Sequence, residues 1–205
     1  MFLTFLTNLF PHVSSLLLGV GSSFFAWWLL QHYLTPHASF SQELAKYKVP
    51  GGGTIYLSAF KNTGRRRMVD IEVIARIGVR EYNGAAGWAY FSVRTNAARL
   101  PELEKDRRGV VRIFDDREEL SFLDAPSKGL RDEVERCGDL EEILCLGIDA
   151  TIEIHVFCTD SFSGTRRHMK SQEYNRLSIR NGRFRGLNVV NANDAGGRVH
   201  SRSAL

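Results

Sequence analysis

From Met1 to Gln42 the chain carries no lysine, arginine, aspartate or glutamate, so every formal charge of the protein lies beyond that point. A run of this length without ionised side chains has no ordinary place on the surface of a small water-soluble domain. Within it, Val13 to Leu30 reads VSSLLLGVGSSFFAWWLL. Those residues make roughly 27 Å of α-helix at about 1.5 Å each, close to the hydrocarbon thickness of a bilayer. Extension to Tyr33 leaves room for tilt. Pro11 stands just before the start, where a missing N–H is harmless, and Pro36 follows the end. Trp27, Trp28 and Tyr33 gather at the C-terminal end, as rings with one apolar and one polar side do at the headgroup level. Residues 1–34 are therefore expected to be a transmembrane anchor, with the lipid bilayer as the first partner of the chain.

Two other readings of the same stretch are weaker. A cleaved signal peptide needs a positive leading segment and a small-residue cleavage site. Here MFLTFLTN has no cation, two tryptophans precede any cut, and His37-Ala38-Ser39 is a poor site. A core helix would need the rest of the chain to surround it. For sidedness, no Lys or Arg precedes the helix, whereas Lys46 and Lys48 follow it, which places the C-terminal part in the cytoplasm beneath a cell (inner) membrane. Ser15, Gly19 and Ser23 recur every four residues along the helix, the small-residue spacing that lets helix backbones approach in lipid. A homo-oligomer through this row is the corresponding expectation.

With 205 residues, the chain has length for one soluble domain behind the anchor. A net charge of +4 is too mild for a nucleic-acid binder, which carries a denser basic face interleaved with aromatics. Cys137, Cys145 and Cys158 are odd in number and irregular in spacing, against a secreted disulfide framework and in keeping with a reducing compartment.

Residues 35–53 end in Pro50-Gly51-Gly52-Gly53 and read as a linker. After it the patterning changes to period two. Ile55, Leu57 and Ala59 alternate with Tyr56, Ser58 and Phe60, and Lys61 to Arg66 is a turn signal. Val69, Ile71, Val73, Ala75, Ile77 and Val79 then point one way, with Asp70, Glu72, Arg76 and Arg80 opposed. Such alternation marks a half-buried antiparallel strand, and the two runs read as a hairpin. Further strands are expected at Trp88–Val93, Val110–Phe114 and Ala150–Cys158, and an edge strand between Thr165 and Glu173. Asn181-Gly182 predicts a final hairpin. Leu130, Val134 and Cys137 form one helical stripe, and Asp139 with Glu142 forms a capping pair, so short helices are expected near 129–145. The fold class expected is mainly β: an immunoglobulin-like antiparallel β-sandwich over 54–190, preceded by one transmembrane helix. The polar tail 191–205 is expected to be disordered.

At two places the domain resembles the cytoplasmic immunoglobulin-like domain of inward-rectifier potassium channels. TIYLSAFKNTGRRRMVDIEVIARI is similar to that family's opening strands, with a strand ending in Asn and a basic turn leading into an alternating strand. IEIHVFCTDSFSGTRRHMKSQEYNRLSIRNGRF is similar to its late stretch, matching at Glu153, Gly164, Tyr174, Gly182 and Phe184. The resemblance implies that fold, placed just inside a membrane. It implies no channel, because the chain has no selectivity-filter sequence, pore helix or second span.

Signatures of catalysis are missing: there is no Gly-x-Ser-x-Gly elbow, P-loop or G-x-G-x-x-G, so neither an enzyme nor a cofactor is expected. His155, Cys158 and His168 suggest a metal site by type, but strand alternation sends positions 155 and 158 to opposite faces. Cys137 and Cys145 lack the close pairing of a zinc site. Arg65, Arg66 and Arg67 are the one cationic cluster with a candidate task, contact with anionic lipid or with a protein partner of unknown identity. The expected role is a non-enzymatic, membrane-tethered interaction domain. The alternative is a sensor or effector whose oligomerising span or lipid contact responds to a ligand.

Overall fold

The computed structural model describes residues 2–191 apart from 33, 34, 51, 85, 119 and 125. Helix α1 (Phe2–His32) is followed by β1 (Ala38–Phe40), β2 (Leu44–Lys48), β3 (Thr54–Asn62), β4 (Met68–Arg80), β5 (Trp88–Leu103) and β6 (Arg108–Asp115). Then come α2 (Lys128–Arg136), α3 (Leu140–Ile143), β7 (Asp149–Asp160), β8 (Arg166–Lys170), β9 (Ile179–Asn181), β10 (Arg183–Arg185) and β11 (Asn188–Val190). The chain is thus mainly β, with one long apolar helix at its N-terminus. The tail expected to be disordered lies outside the described residues beyond Asn191, as does Tyr33.

Four strands form an antiparallel sheet in the order β5-β4-β7-β8. Its two central strands follow the sequence pattern closely. Ile71, Val73, Ala75, Ile77 and Val79 of β4 and Ile152, Ile154, Val156 and Cys158 of β7 are all buried. Val69 departs from the expected inward set. Asp70 adopts a left-handed backbone (φ 49°) and the pairing with β7 slips between Val69 and Glu72, so a bulge flips the parity. Met68 takes the inward place and Val69 is left half-buried. β8 is the edge strand expected between 165 and 173.

The second sheet is built around β3, which pairs with β6 along one side and with β1 and β2 along the other; β9 adds to β2 in parallel. This corrects the linker assignment of 35–53. Ala38 pairs with Asn62 and Ala45 with Leu57, so β1 and β2 are two halves of one strand broken at Ser41–Glu43. Leu44 and Ala45 are wholly buried. Gly52 and Gly53 belong to the turn of the β2–β3 hairpin, closed by Val49 N–H to Gly53 O at 3.0 Å and Gly52 N–H to Val49 O at 3.1 Å. Turn and linker share a composition, and only the partner strand separates them.

Two predicted hairpins are also corrected. β3 and β4 do not pair; residues 63–67 carry the chain from one sheet to the other. Asn181-Gly182 does not join a hairpin either, since β9 pairs with β2 and the hairpin is β10–β11 around Gly186-Leu187. Side chains of both sheets, with Leu130, Val134, Leu140 and Ile143 of the short helices, form one hydrophobic core. The capping pair is present: the Glu142 N–H donates to Asp139 Oδ1 at 2.9 Å, and Glu142 Oε2 accepts from Gly138 N–H. No part of Val13–Leu30 is buried in that core.

Candidate functional site

The apolar window of α1 exposes Leu16, Leu17, Leu18, Val20, Phe24 and Phe25, each more than 60% accessible. Trp27 and Trp28 stand out beside Phe24 and Phe25, with ring centroids 5.7 and 6.2 Å apart. Along the small-residue row, the hydroxyls of Ser22 and Ser23 donate to the Gly19 carbonyl at 3.0 and 2.8 Å. Those two hydroxyls are thus turned back onto the helix, and a Cβ on Gly19 would meet nothing within 4 Å. Ser15, Gly19 and Ser23 leave a low strip on an otherwise bulky surface.

The three arginines sit on the crossover between sheets, at the end of the domain where the chain leaves the helix. Asn62, wholly buried at the end of β3, organises this pole. Its amide nitrogen donates to the carbonyls of Arg66 (2.8 Å) and Leu103 (3.0 Å), and its amide oxygen accepts from Gly64 N–H (3.0 Å). Its backbone N–H donates to Arg107 O, and its carbonyl accepts from Asp106 N–H. One neutral side chain thereby ties the 63–67 crossover to the β5–β6 turn. Gly64 has to be glycine: a Cβ there would lie 2.4 Å from the backbone nitrogen of His37. The backbone N–H groups of Thr63 and Gly64 both donate to His37 O. Arg66 reaches inward to Asp160, Nη1 to Oδ2 3.0 Å, with that carboxylate 1% exposed, and its guanidinium lies over Phe162 at 4.2 Å. Arg67 pairs with Glu102 at 2.9 Å on the surface, and Arg65 is exposed. The arginines are neighbours with three different environments; Arg66 is a fastening for a buried acid.

A second feature carries no sequence motif. On the outer face of the four-stranded sheet, His155, Phe157 and His168 stack, with His155 and His168 5.0 Å apart and nearly parallel, and Phe157 4.6 Å from His168. The imidazoles share a hydrogen bond, Nδ1 of His155 to Nε2 of His168, at 2.8 Å. Beside them an open groove of about 360 Å³ is lined by Ile74, Arg76, Tyr90, Ser92, Asp124 and Phe157 as well as His155. Arg76 lies over the Tyr90 ring at 4.3 Å. Trp88 and Tyr90 stack at 5.9 Å over Gly78, where a Cβ would fall 2.7 Å from the Tyr90 ring. Burial lowers the affinity of His155 for a proton; Glu153 opposes this, and His168 and Arg76 reinforce it. Cys158, on the same strand, points into the core, where burial pushes its thiol up to about 11. The signal available in the sequence was the i, i+2 pair Trp88–Tyr90 opposite a strand glycine, but it needs the β4–β5 register to be read.

This face offers stacking surfaces, a guanidinium and a shared imidazole proton. Among the described residues no three His, Cys, Asp or Glu side chains converge as metal ligands. At the far pole, Asp115 is buried and held by Arg112 at 2.7 Å and by Arg117 through both Nε and Nη2 at 2.8 Å. The Arg117 hydrogen bonds, with the charge of Arg112, hold its carboxyl at about 2. No protein family and no curated protein matches this sequence.

Proposed function

We propose that the chain is a single-pass protein of a cell (inner) membrane, whose helix holds an immunoglobulin-like β-sandwich on the cytoplasmic side as a non-enzymatic interaction module. The observation that carries this is the uncharged Val13–Leu30 helix, of which none is buried against the domain. Each large apolar side chain left in water forfeits about 1.5–3 kcal/mol, and the window holds several, so hydrocarbon is the environment that satisfies it. Two β-rich sheets sharing one core support the sandwich reading, as does the resemblance to a domain that sits just inside a membrane. Cytoplasmic placement draws on the absence of cations before the helix and on three free cysteines. The outer sheet face with Trp88, Tyr90 and the histidine pair is the surface offered to a protein partner, and the strip of Ser15, Gly19 and Ser23 offers a route to a homo-oligomer.

Alkaline carbonate extraction of the full chain, with a reporter on each terminus, tests the anchor. We expect a full-length, carbonate-resistant product whose C-terminal reporter is active in the cytoplasm. A shortened, extractable product would identify the helix as a cleaved signal, and a C-terminal reporter active outside would reverse the orientation. Crosslinking in the membrane should give a ladder that Gly19→Leu abolishes; a monomer insensitive to that change removes the oligomer.

A further inference from the structure

The charges of the domain are segregated by pole, and the strand registers show it. Ala38 pairs with Asn62, Lys61 with Arg108, Met68 with Leu103 and Asp160, and Thr159 with Arg166. These pairs lie at one end of both sheets, the end where the chain enters the domain. The segments emerging there, 61–67, 105–108 and 166–167, hold nine cations and one acid, Asp106. Glu102, Glu104, the buried Asp160 and Glu72, which pairs with Arg166, offset part of that charge. Away from this pole, the helical region from Lys128 to Ile143 holds six acids, all between Asp132 and Glu142, and three cations.

The basic pole is held close to the end of the helix by covalent reach alone. The 63–67 crossover packs on Thr35–His37, and Thr35 stands three residues beyond His32, the last helical residue. Three residues span at most about 11 Å, whatever the angle between helix and domain. At the same pole Phe162 is 73% exposed on a loop built to hold it outward. Asp160 accepts from Phe162 N–H at 3.2 Å and from the Ser163 hydroxyl at 2.6 Å, and Gly164 N–H donates to the Asp160 carbonyl at 2.9 Å. These bonds order the backbone that carries Phe162, so the loop needs no further ordering to present the ring.

We infer that this pole lies on the anionic headgroups of the same bilayer the helix crosses, with the surface arginines and lysines on lipid phosphates and Phe162 set into the interface. The inference rests on the membrane-anchor reading. The exposed ion pairs at the pole, such as Lys61–Asp106 and Arg67–Glu102, are no obstacle, because such pairs are held weakly in water. Each exchanges a carboxylate for a phosphate at little cost, whereas Arg66 stays on Asp160. Anchor and pole are then two signals on one surface, and the acids of Asp132–Glu142 face away from it.

The test uses the full chain in vesicles, with Cys145→Ser to remove the exposed thiol and an environment-sensitive dye on Phe162→Cys. A matching dye on Ile148→Cys, exposed at the opposite pole beside Arg80, serves as control. In phosphatidylglycerol-containing vesicles we expect dye 162 to report lipid and dye 148 to report water. In phosphatidylcholine vesicles, or at 1 M salt where the Debye length is about 3 Å, both should report water. Millimolar inorganic phosphate with phosphatidylcholine vesicles should leave dye 162 in water; a response there would assign the pole to a free anion and overturn the inference. Lys105→Glu with Arg107→Glu, both on the exposed β5–β6 turn, should lower the docked-to-free ratio about thirtyfold or more, from about 1 kcal/mol per cation. The salt arm tests the same point without a substitution. Dye 162 in water on anionic vesicles would overturn the docking and leave the pole to an acidic protein surface. Failure of the anchor is a separate result, a chain that does not float with vesicles at high salt.

Discussion

At the pole beside the helix the loops are tied by a neutral group, the buried amide of Asn62, whose side chain and backbone make five hydrogen bonds to the 63–67 and 103–107 segments. At the far pole the turn after β6 is tied by a charge, the buried carboxylate of Asp115, which engages Arg112 and Arg117. The two clasps do the same mechanical job with different consequences. A buried carboxylate needs compensating cations, so Arg112 and Arg117 are drawn back onto the chain. A buried amide needs only backbone donors and acceptors. The neutral clasp draws in no cation, so Arg65, Arg67 and Arg107 stay on the surface of the pole next to the helix, where Arg66 turns inward to the buried Asp160.

The largest expected effect comes from removing the neutral clasp. Asn62→Ala strands the carbonyls of Arg66 and Leu103 and the Gly64 N–H inside the fold, and should cost about 3 kcal/mol or more. Denaturant unfolding should show that loss unchanged from pH 7 to pH 4, since no proton is involved. Asp115→Asn should cost less, about 2 kcal/mol at pH 7, because its partners are partly solvated and keep water as an alternative. Its pH dependence is the sharper distinction. Asp115 is depressed in the fold from 3.8 to about 2, so its contribution is complete above 3.8 and is lost as pH falls through 3.8 towards 2. Wild type and Asp115→Asn should therefore converge in acid, while wild type and Asn62→Ala stay apart. Parallel curves for both variants would show that the Asp115 charge contributes nothing.

The contrast also explains what was legible in the sequence. β4 and β7 could be read because each is a long, locally coded pattern whose inward residues meet the core regardless of the neighbouring strand. β1, β2 and β9 could not, because each is short and becomes a strand only through β3 or through another short segment distant in sequence. Pro50 to Gly53 looked like a tether for the same reason. Lys61 to Arg66 signals a turn, but the hairpin expected from it does not form, since a turn signal does not say whether the chain returns to the same sheet. Asn62 was visible only as a strand-ending polar residue; its burial follows from sharing parity with Tyr56, Ser58 and Phe60, which all face the core. The groove of Tyr90, Arg76 and His155 draws on β4, β5 and β7, and such a site becomes visible once the registers are known.

A third fastening, on the outer sheet face, lies between the two clasps in character and carries the smallest expected effect. His155 is neutral when deprotonated, like Asn62, yet it can take a proton in acid below its ordinary 6.5. Burial depresses it below its ordinary 6.5, with His168 and Arg76 acting the same way and Glu153 opposing. Protonation is thus easier in the unfolded chain than in the fold. The contribution of His155 is complete above pH 6.5 and declines as pH falls below that value, by less than about 1.4 kcal/mol for each unit of depression. Glu153, depressed from 4.5, titrates below this window, and Asp115 lower still, so a slope between pH 6.5 and 5 isolates the histidine stack. His155→Phe keeps a ring against His168 while removing the proton, and should flatten the stability curve over that interval. A curve as steep in the variant as in the wild type would place the titrating group elsewhere, and the stack would then be a packing element like Phe157 itself.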